Sequence, residues 1–175
     1  MPPLPKRTTA LLLCRSSQSF YTYEVRCELH GGRELSFLLN LWVPAGDGPF
    51  PVMLNGDGCW RHFSDAVVER VLARGCIAAS FNRTALAADN KDLYRETGLY
   101  RAYPDASFGA LAAWAWGYHR SVDALQTLDF VRADQIAITG HSRGGKTVLL
   151  AGATDERIAL TNPNDSGAGG SGLNR

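Results

Sequence analysis

The feature that most constrains this fold is a glycine-rich segment, Gly140-His141-Ser142-Arg143-Gly144-Gly145-Lys146-Thr147, which lies between an apolar run and a helical pattern. Residues 135–139 have the length and apolar character of a buried strand, and residues 142–153 have the periodicity of a helix. A chain that passes from strand to helix through one tight, glycine-lined turn is typical of open α/β folds, in which helices cover a parallel sheet.

The rest of the chain repeats this alternation of short apolar runs and helical segments. Strands are predicted at residues 20–29, 34–43, 51–55, 76–81 and 157–161, and helices at residues 64–73 and 108–130. The first two strands flank a Gly-Gly pair, which indicates an antiparallel hairpin. We therefore predict one α/β domain over residues 19–175, with a mostly parallel sheet and helices on both faces. Residues 1–18 are expected to form a loosely ordered lead-in.

Charge and composition exclude several classes of partner. The formal net charge is +1 and no cluster of Lys and Arg stands out, so we expect neither a nucleic acid nor an anionic membrane as partner. No run approaches the roughly 20 apolar residues of a membrane span, and the apolar stretch at residues 10–14 is too short for a signal peptide, which indicates a cytoplasmic location. The four cysteines show no metal-ligand spacing, so we expect reduced thiols and no metal.

Two mechanistic patterns fit the glycine-rich segment. As Gly-x-Ser-x-Gly it is a nucleophile elbow, in which a sharp turn lifts Ser142 above the sheet and the following amide faces a developing oxyanion. As Gly-x-x-x-x-Gly-Lys-Thr it is a P-loop, in which Lys146 would reach a phosphate and Thr147 would hold Mg²⁺. Turn glycines without either role are a third interpretation. Position favours the elbow, because several strands precede the segment, whereas a phosphate loop most often follows an early strand.

The residues around this segment resemble the glucuronoyl esterases, α/β-hydrolases that cleave esters of (4-O-methyl)glucuronic acid on xylan. The helix before the turn carries Trp114-Ala115-Trp116-Gly117, and the turn carries the family's Gly-x-Ser-Arg-x-Gly-Lys. Residues 155–160, 164–170 and the polar loop at 89–103 are also similar to the family. The resemblance covers residues 21–175 and implies an α/β-hydrolase-type sheet and a serine carboxylic-ester hydrolase, with no cofactor.

The resemblance also implies roles for individual residues. Ser142 would be the nucleophile, and Arg143 would stabilise the oxyanion with its backbone amide and its guanidinium. Lys146 would bind hydroxyls of the glucuronate. Asp165 stands where fungal members carry the acid of the triad, although some bacterial members place that acid on a later strand. Independently of the resemblance, Trp60 follows a strand and is a candidate platform for stacking on a sugar.

No histidine follows Ser142 in this sequence, although the triad order of α/β-hydrolases ends on one. His141 fits a spacer in the turn, His119 a packed helix residue and His30 a solvated turn residue. His62 is the upstream candidate for a base or a pocket-lining residue. The resemblance places the family's histidine beyond residue 175, so we expect a partial domain that is truncated at its C-terminal end and has an open sheet edge.

Three alternative functions stay open at this stage. The same scaffold supports acetyl (xylan) esterases, a label that bacterial members of the family often carry. A chain without its base would be an inactive remnant, and the P-loop interpretation would make it a nucleotide-binding protein. The expected partner is a carbohydrate ester, either glucuronoylated or acetylated xylan, and the sequence leaves the oligomeric state open. Members of the family are often secreted, which stands against the location indicated above.

Overall fold

The computed structural model describes residues 1–16, 19–60 and 63–172, and within them the chain forms a mixed α/β fold on one seven-stranded sheet. The strands are β1 (Arg7–Arg15), β2 (Phe20–Glu28), β3 (Glu34–Trp42), β4 (Phe50–Asn55), β5 (Ile77–Phe81), β6 (Val131–His141) and β7 (Ile158–Asn164). The helices are α1 (Asp65–Leu72), α2 (Leu99–Ala102), α3 (Ala110–Leu125) and α4 (Arg143–Ala153). Across these described ranges, no helix has both the length and the apolar character to span a membrane.

The strands lie in the order β1-β2-β3-β5-β4-β6-β7. β1, β2, β3 and β5 pair with antiparallel neighbours, whereas β5, β4, β6 and β7 pair in parallel. The prediction of an α/β-hydrolase-type sheet, parallel in its centre and preceded by an antiparallel hairpin, is confirmed. Since parallel strands end at the same edge of a sheet, the loops after β4, β5, β6 and β7 meet there.

Alternation along the central strands divides their side chains between the two faces of the sheet. On one face α3 and α4 pack on each other, and α4 contacts β6 and β7. The buried side chains of the central strands include Val52, Leu54, Ile136 and Ile138. On the other face Val67 and Val71 of α1 line an apolar groove together with Met53 of β4. Helices therefore cover both faces, as the alternating pattern predicts.

Helix α3 is buried on nearly all sides, which agrees with its almost continuous apolar sequence. The side chains of Trp114 and Trp116 are 2% and 1% exposed. Their indole N–H groups donate to the carbonyl oxygens of Ala87 at 2.7 Å and Pro3 at 2.9 Å, so the polar edge of each ring is satisfied inside the core. The two tryptophans are thus core residues, and Trp114 also reaches a cavity described below.

Two predictions about local structure are wrong. Nine of the 18 residues of the expected lead-in, at residues 1–18, form strand β1, which pairs with β2 along residues 7–15. An edge strand is held by backbone hydrogen bonds, which need no particular pattern of side chains. Because this segment lacks the alternation of apolar and polar residues, the strand could not be recognised from the sequence. The helix predicted over residues 108–130 spans Ala110–Leu125, and the chain turns beyond it, where the Thr127 hydroxyl donates to the Ala124 carbonyl at 2.7 Å. Beyond that turn Leu128 and Phe130 still pack on the core, which extends the apolar pattern past the helix.

Candidate active site

Ser142 is the single residue between the end of β6 and the start of α4. Its φ of 54° lies in the left-handed region, where a residue other than glycine is strained by about 1–3 kcal/mol. The Ser142 amide donates to the Asn164 carbonyl at the end of β7 at 2.9 Å, and the Ser142 carbonyl accepts from the Lys146 amide at 3.1 Å. These bonds hold the strained turn, which projects an exposed serine at the edge of the sheet. This is the geometry of a nucleophile elbow.

The glycines of the turn are required by the close approach of other backbone atoms. A Cβ atom on Gly140 would lie 2.6 Å from the carbonyl oxygen of Gly144. A Cβ atom on Gly145 would lie 2.9 Å from the carbonyl oxygen of Asn164. The strand and helix can meet at this angle only with hydrogen atoms at these positions, so Gly140, the first glycine of the Gly-x-Ser-x-Gly pattern, and Gly145, just after it, have a steric cause.

The alternative interpretation of the segment as a P-loop is wrong. A P-loop surrounds phosphates with the amides of an open loop, whereas α4 begins at Arg143, one residue after Ser142. The residue that would hold Mg²⁺, Thr147, has no exposed surface. Its hydroxyl donates to the Arg143 carbonyl at 2.8 Å inside the helix, so it does not face a ligand.

A cavity of about 280 Å³ opens beside Ser142. Its lining residues are Asp57, Trp60, Arg83, Asp89, His141, Ser142 and Arg143. The Arg143 side chain is 57% exposed, and Trp60 is 64% exposed. The structure thus brings together three of the residues that the sequence analysis selected, namely Ser142, Arg143 and Trp60.

The floor of this cavity is a network of charged side chains. Asp57 and Arg83 form an ion pair in which the side chains are 3% and 2% exposed. The second oxygen of Asp57 accepts a hydrogen bond of 2.6 Å from the amide of His141. Burial raises the pKa of Asp57, and the His141 amide and the Arg83 guanidinium oppose that shift. Arg83 also contacts Asp89 at 3.0 Å, and Asp89 in turn contacts Arg143 at 2.5 Å.

The buried hydroxyl of Tyr118 joins the strands that carry the site. It accepts a hydrogen bond of 2.7 Å from the Gly56 amide, just after β4, and donates one of 2.9 Å to the Thr139 carbonyl in β6. Burial raises the pKa of Tyr118, so the hydroxyl stays protonated and keeps its role as a donor. The loop after β4 is thereby fixed relative to the elbow after β6.

Lys146 lies on α4, one turn beyond the elbow, and lines a second cavity of about 430 Å³. This second cavity shares Asp89 and Arg143 with the first, so the two are neighbours across the Arg143 side chain. Trp114 lines its wall. A Cβ atom on Gly169 would lie 3.9 Å from the Lys146 Nζ atom, which places the ammonium group near the glycine-rich turn after β7.

Asp165 directly follows Asn164, the residue that binds the Ser142 amide. It is exposed, and its φ of 50° marks a turn at the end of β7. It lies at the same edge of the sheet as Ser142 but lines neither of the two cavities. The structure therefore brings Asp165 near the elbow without a direct contact to the nucleophile.

Over residues 1–16, 19–60 and 63–172, no hydrogen bond joins the Ser142 hydroxyl to a histidine. His119 is 6% exposed, its ring lies against the last turn of α4, and burial lowers its pKa. His30 is exposed in the hairpin turn, so the predictions for both residues are confirmed. The remaining candidate, His62, and its neighbour Arg61 lie outside the described residues. In the described part of the chain, no group of His, Cys, Asp and Glu is arranged to hold a metal ion.

Asp57, Arg83 and Asp89 carry no role predicted from the sequence. Asp57 and Arg83 come within two residues of the ends of β4 and β5, so their place in a parallel sheet was an available signal. Asp89 lies in the long polar loop after β5, where its partners depend on tertiary structure. Only its contacts with Arg83 and Arg143 in the structure identify Asp89 as a site residue.

Comparisons of the sequence with known proteins agree with one another. The family model described as "Glucuronyl esterase, fungi" matches residues 27–175. The 4-O-methyl-glucuronoyl methylesterase of Podospora anserina is 36% identical over 178 residues, which cover 98% of this chain and 34% of that protein. The enzyme of the same name from Hypocrea jecorina is 35% identical over 173 residues, which cover 96% of this chain and 35% of that protein. The chain thus spans about a third of the length of these relatives.

Solved structures share the fold. A glucuronoyl esterase from Solibacter usitatus superposes with a TM-score of 0.81 at 24% identity, over 98% of this chain and 55% of that chain. A mutant glucuronoyl esterase from Sporotrichum thermophile, in complex with methyl 4-O-methyl-β-D-glucopyranuronate, gives a TM-score of 0.74 at 31% identity. That match covers 97% of this chain and 43% of the other.

Proposed function

The chain belongs to the glucuronoyl esterase family, and we propose that it forms part of a serine carboxylic-ester hydrolase acting on (4-O-methyl)glucuronoyl esters of xylan. The observation that carries the proposal is the position of Ser142, strained at an elbow and exposed beside the Arg143 guanidinium in one cavity. The relatives that match nearly the whole chain are named as methylesterases of 4-O-methyl-glucuronate.

The proposed reaction is an acyl transfer to Ser142. The Oγ atom attacks the ester carbonyl, a C–O bond forms, and the carbonyl oxygen becomes a tetrahedral oxyanion. The amide of Arg143 stands in the first turn of α4, where amides have no acceptor within the helix, so it can donate to that oxyanion. The Arg143 guanidinium supplies a positive charge on the same side of the cavity. The alcohol then leaves, and water releases the uronic acid from the acyl-enzyme.

The proton of Ser142 needs a base, because a serine hydroxyl alone is a poor nucleophile. We assign this base to a histidine outside residues 1–16, 19–60 and 63–172. Asp165, at the end of β7, is assigned as the carboxylate that orients this histidine. The imidazole would take the proton of Ser142 and pass it to the leaving alcohol. The exposure of both Ser142 and Asp165 supports this assignment, since their edge of the sheet is open to another segment.

The two neighbouring cavities divide the ester between them in this proposal. Lys146 lies in the larger cavity, where its ammonium group can donate to sugar hydroxyls, and Trp114 supplies an aromatic wall. Trp60 lies in the smaller cavity, where its exposed ring offers a surface for stacking. Arg143 lines both cavities, which supports a carbonyl group bound at the boundary between them.

The proposal is tested by the hydrolysis of methyl 4-O-methylglucuronate in the presence of added imidazole, which can reach the exposed Ser142 and act as the base. The rate should rise with imidazole concentration, and Ser142→Ala should reduce it to the rate of imidazole in buffer. Ser107→Ala, at another exposed serine, is the matched control and should keep the full rate. Equal rates in Ser142→Ala and Ser107→Ala would contradict the proposal, and faster deacetylation of acetylated xylan would indicate an acetyl esterase instead.

A further inference from the structure

Asp89 is the carboxylate that connects the interior of the protein to the Arg143 guanidinium. One oxygen of Asp89 contacts Arg143 Nη1 at 2.5 Å, and the other contacts Arg83 Nη2 at 3.0 Å. The second oxygen also accepts a hydrogen bond of 3.3 Å from the indole N–H of Trp60. The Asp89 side chain is only 6% exposed, so the carboxylate is buried among these three donors.

The inner partner of Asp89 is itself fixed. Arg83 is 2% exposed, is paired with Asp57 on its other side, and lies over the Trp114 ring at 4.7 Å. A buried guanidinium with two carboxylates and an aromatic face has little freedom to move. Asp89 is therefore held by a rigid group. Arg143, although more than half exposed, is anchored at one of its nitrogen atoms.

Among the described residues that line the Ser142 cavity, the formal charges balance. Asp57 and Asp89 contribute two negative charges, and Arg83 and Arg143 contribute two positive charges. The ester substrate of the proposed reaction is neutral at its reacting group, whereas the uronic acid product is an anion. An unpaired Arg143 would attract the product more strongly than the ester, and the Asp89 charge reduces that difference.

We propose that Asp89 is a positioning residue that holds the Arg143 guanidinium beside Ser142 and offsets its charge, so that the site does not retain the carboxylate product. This inference rests on the proposed function, because the ester and its acid are the ligands between which it discriminates. Asp89 makes no hydrogen bond to Ser142, and its proposed effect on the reaction is exerted through its contact with Arg143.

The first test compares the binding of glucuronate with that of methyl glucuronate by NMR titration. Asp89→Asn keeps the shape of the side chain but removes its charge. Glucuronate binding should become about fivefold tighter relative to binding of the ester, which is the effect expected of one pair of unit charges about 4 Å apart in water. Asp92→Asn removes the same charge from an exposed position in the same loop, and should leave the ratio unchanged. Equal weakening of both ligands by Asp89→Asn would show a structural role alone and overturn the inference.

A second variant and a ligand-free readout keep the inference testable. If Asp89→Asn does not fold, Arg143→Gln on the exposed side of the pair should lower the ratio of glucuronate to ester affinity, and an unchanged ratio overturns the inference. If the wild type binds neither ligand, the proposed function fails, and the guanidinium NMR signals of Arg143 then decide. Restricted rotation of Arg143, lost in Asp89→Asn and kept in Asp92→Asn, supports the anchoring role, and equally free rotation in all three proteins overturns it.

Discussion

Substitution of Gly144 by alanine tests whether the elbow is locked against the buried ion pair beneath it. A Cβ atom on Gly144 would lie 2.7 Å from Asp57 Oδ2 and 2.8 Å from its Cγ atom. Asp57 cannot retreat without loss, because Arg83 binds one of its oxygens and the His141 amide binds the other at 2.6 Å. The added methyl group must therefore displace either helix α4 or a buried, fully bonded carboxylate.

The expected cost of Gly144→Ala is about 3 kcal/mol, at the upper end of the range for overpacking a rigid interior. For a chain of this length, each kcal/mol lowers the melting temperature by about 2–4 °C, so a decrease of roughly 6–12 °C is expected. Thermal unfolding followed by circular dichroism measures it. The control is Gly109→Ala at the start of α3, where an added Cβ meets no atom within 4 Å.

Gly109→Ala should change the stability by less than about 1 kcal/mol, because a poorer helix cap and a less flexible unfolded chain act in opposite directions. The reasoning is refuted if Gly144→Ala melts at the wild-type temperature, or if both variants lose the same stability. In the first case Asp57 has room to move, and the ion pair does not fix the elbow.

Three further predictions follow from burial. His119 is held in its neutral form, since burial lowers its pKa below the unfolded value of about 6.5, so stability should fall as the pH decreases from about 7 to about 5. His119→Gln should flatten this dependence in denaturant titrations and His30→Gln should not, whereas equal pH profiles in the two variants would exclude His119 as the cause. Leu54→Ala removes a side chain with no exposed surface and should cost about 3 kcal/mol, whereas Leu160→Ala at 55% exposure should cost less than about 0.5 kcal/mol. Trp60→Ala should leave the melting temperature within about 2 °C of the wild type but reduce the fluorescence change on titration with methyl 4-O-methylglucuronate, and an undiminished change would exclude Trp60 from the site.

The sequence predicts the elbow well because its constraints are local. Gly140 and Gly145 are needed within a few residues of Ser142, and the strand and helix on either side have clear periodicity. The same holds for Trp114 and Trp116, whose apolar surroundings along α3 indicate burial without knowledge of the tertiary structure. The Ser-Arg-x-Gly-Lys pattern then selects the family.

The parts that the sequence did not predict depend on partners that are distant along the chain. Strand β1 has three consecutive leucines, at residues 11–13, without polar alternation, and it exists because β2 supplies hydrogen-bond partners. The role of Asp89 depends on Arg83, six residues away, and on Arg143, which comes from a different strand and helix unit. No periodicity or motif encodes such a contact.

Covalent trapping of Ser142 tests the central claim most directly. The chain is incubated, with and without imidazole, with an activated phosphonate that reacts with nucleophilic serines. The modified residue is then located by peptide mass spectrometry. The account predicts a single adduct on Ser142 that forms faster with imidazole and is absent in Ser142→Ala. An adduct on another serine, or equal labelling of the wild type and Ser142→Ala, would contradict the assignment of Ser142 as the nucleophile.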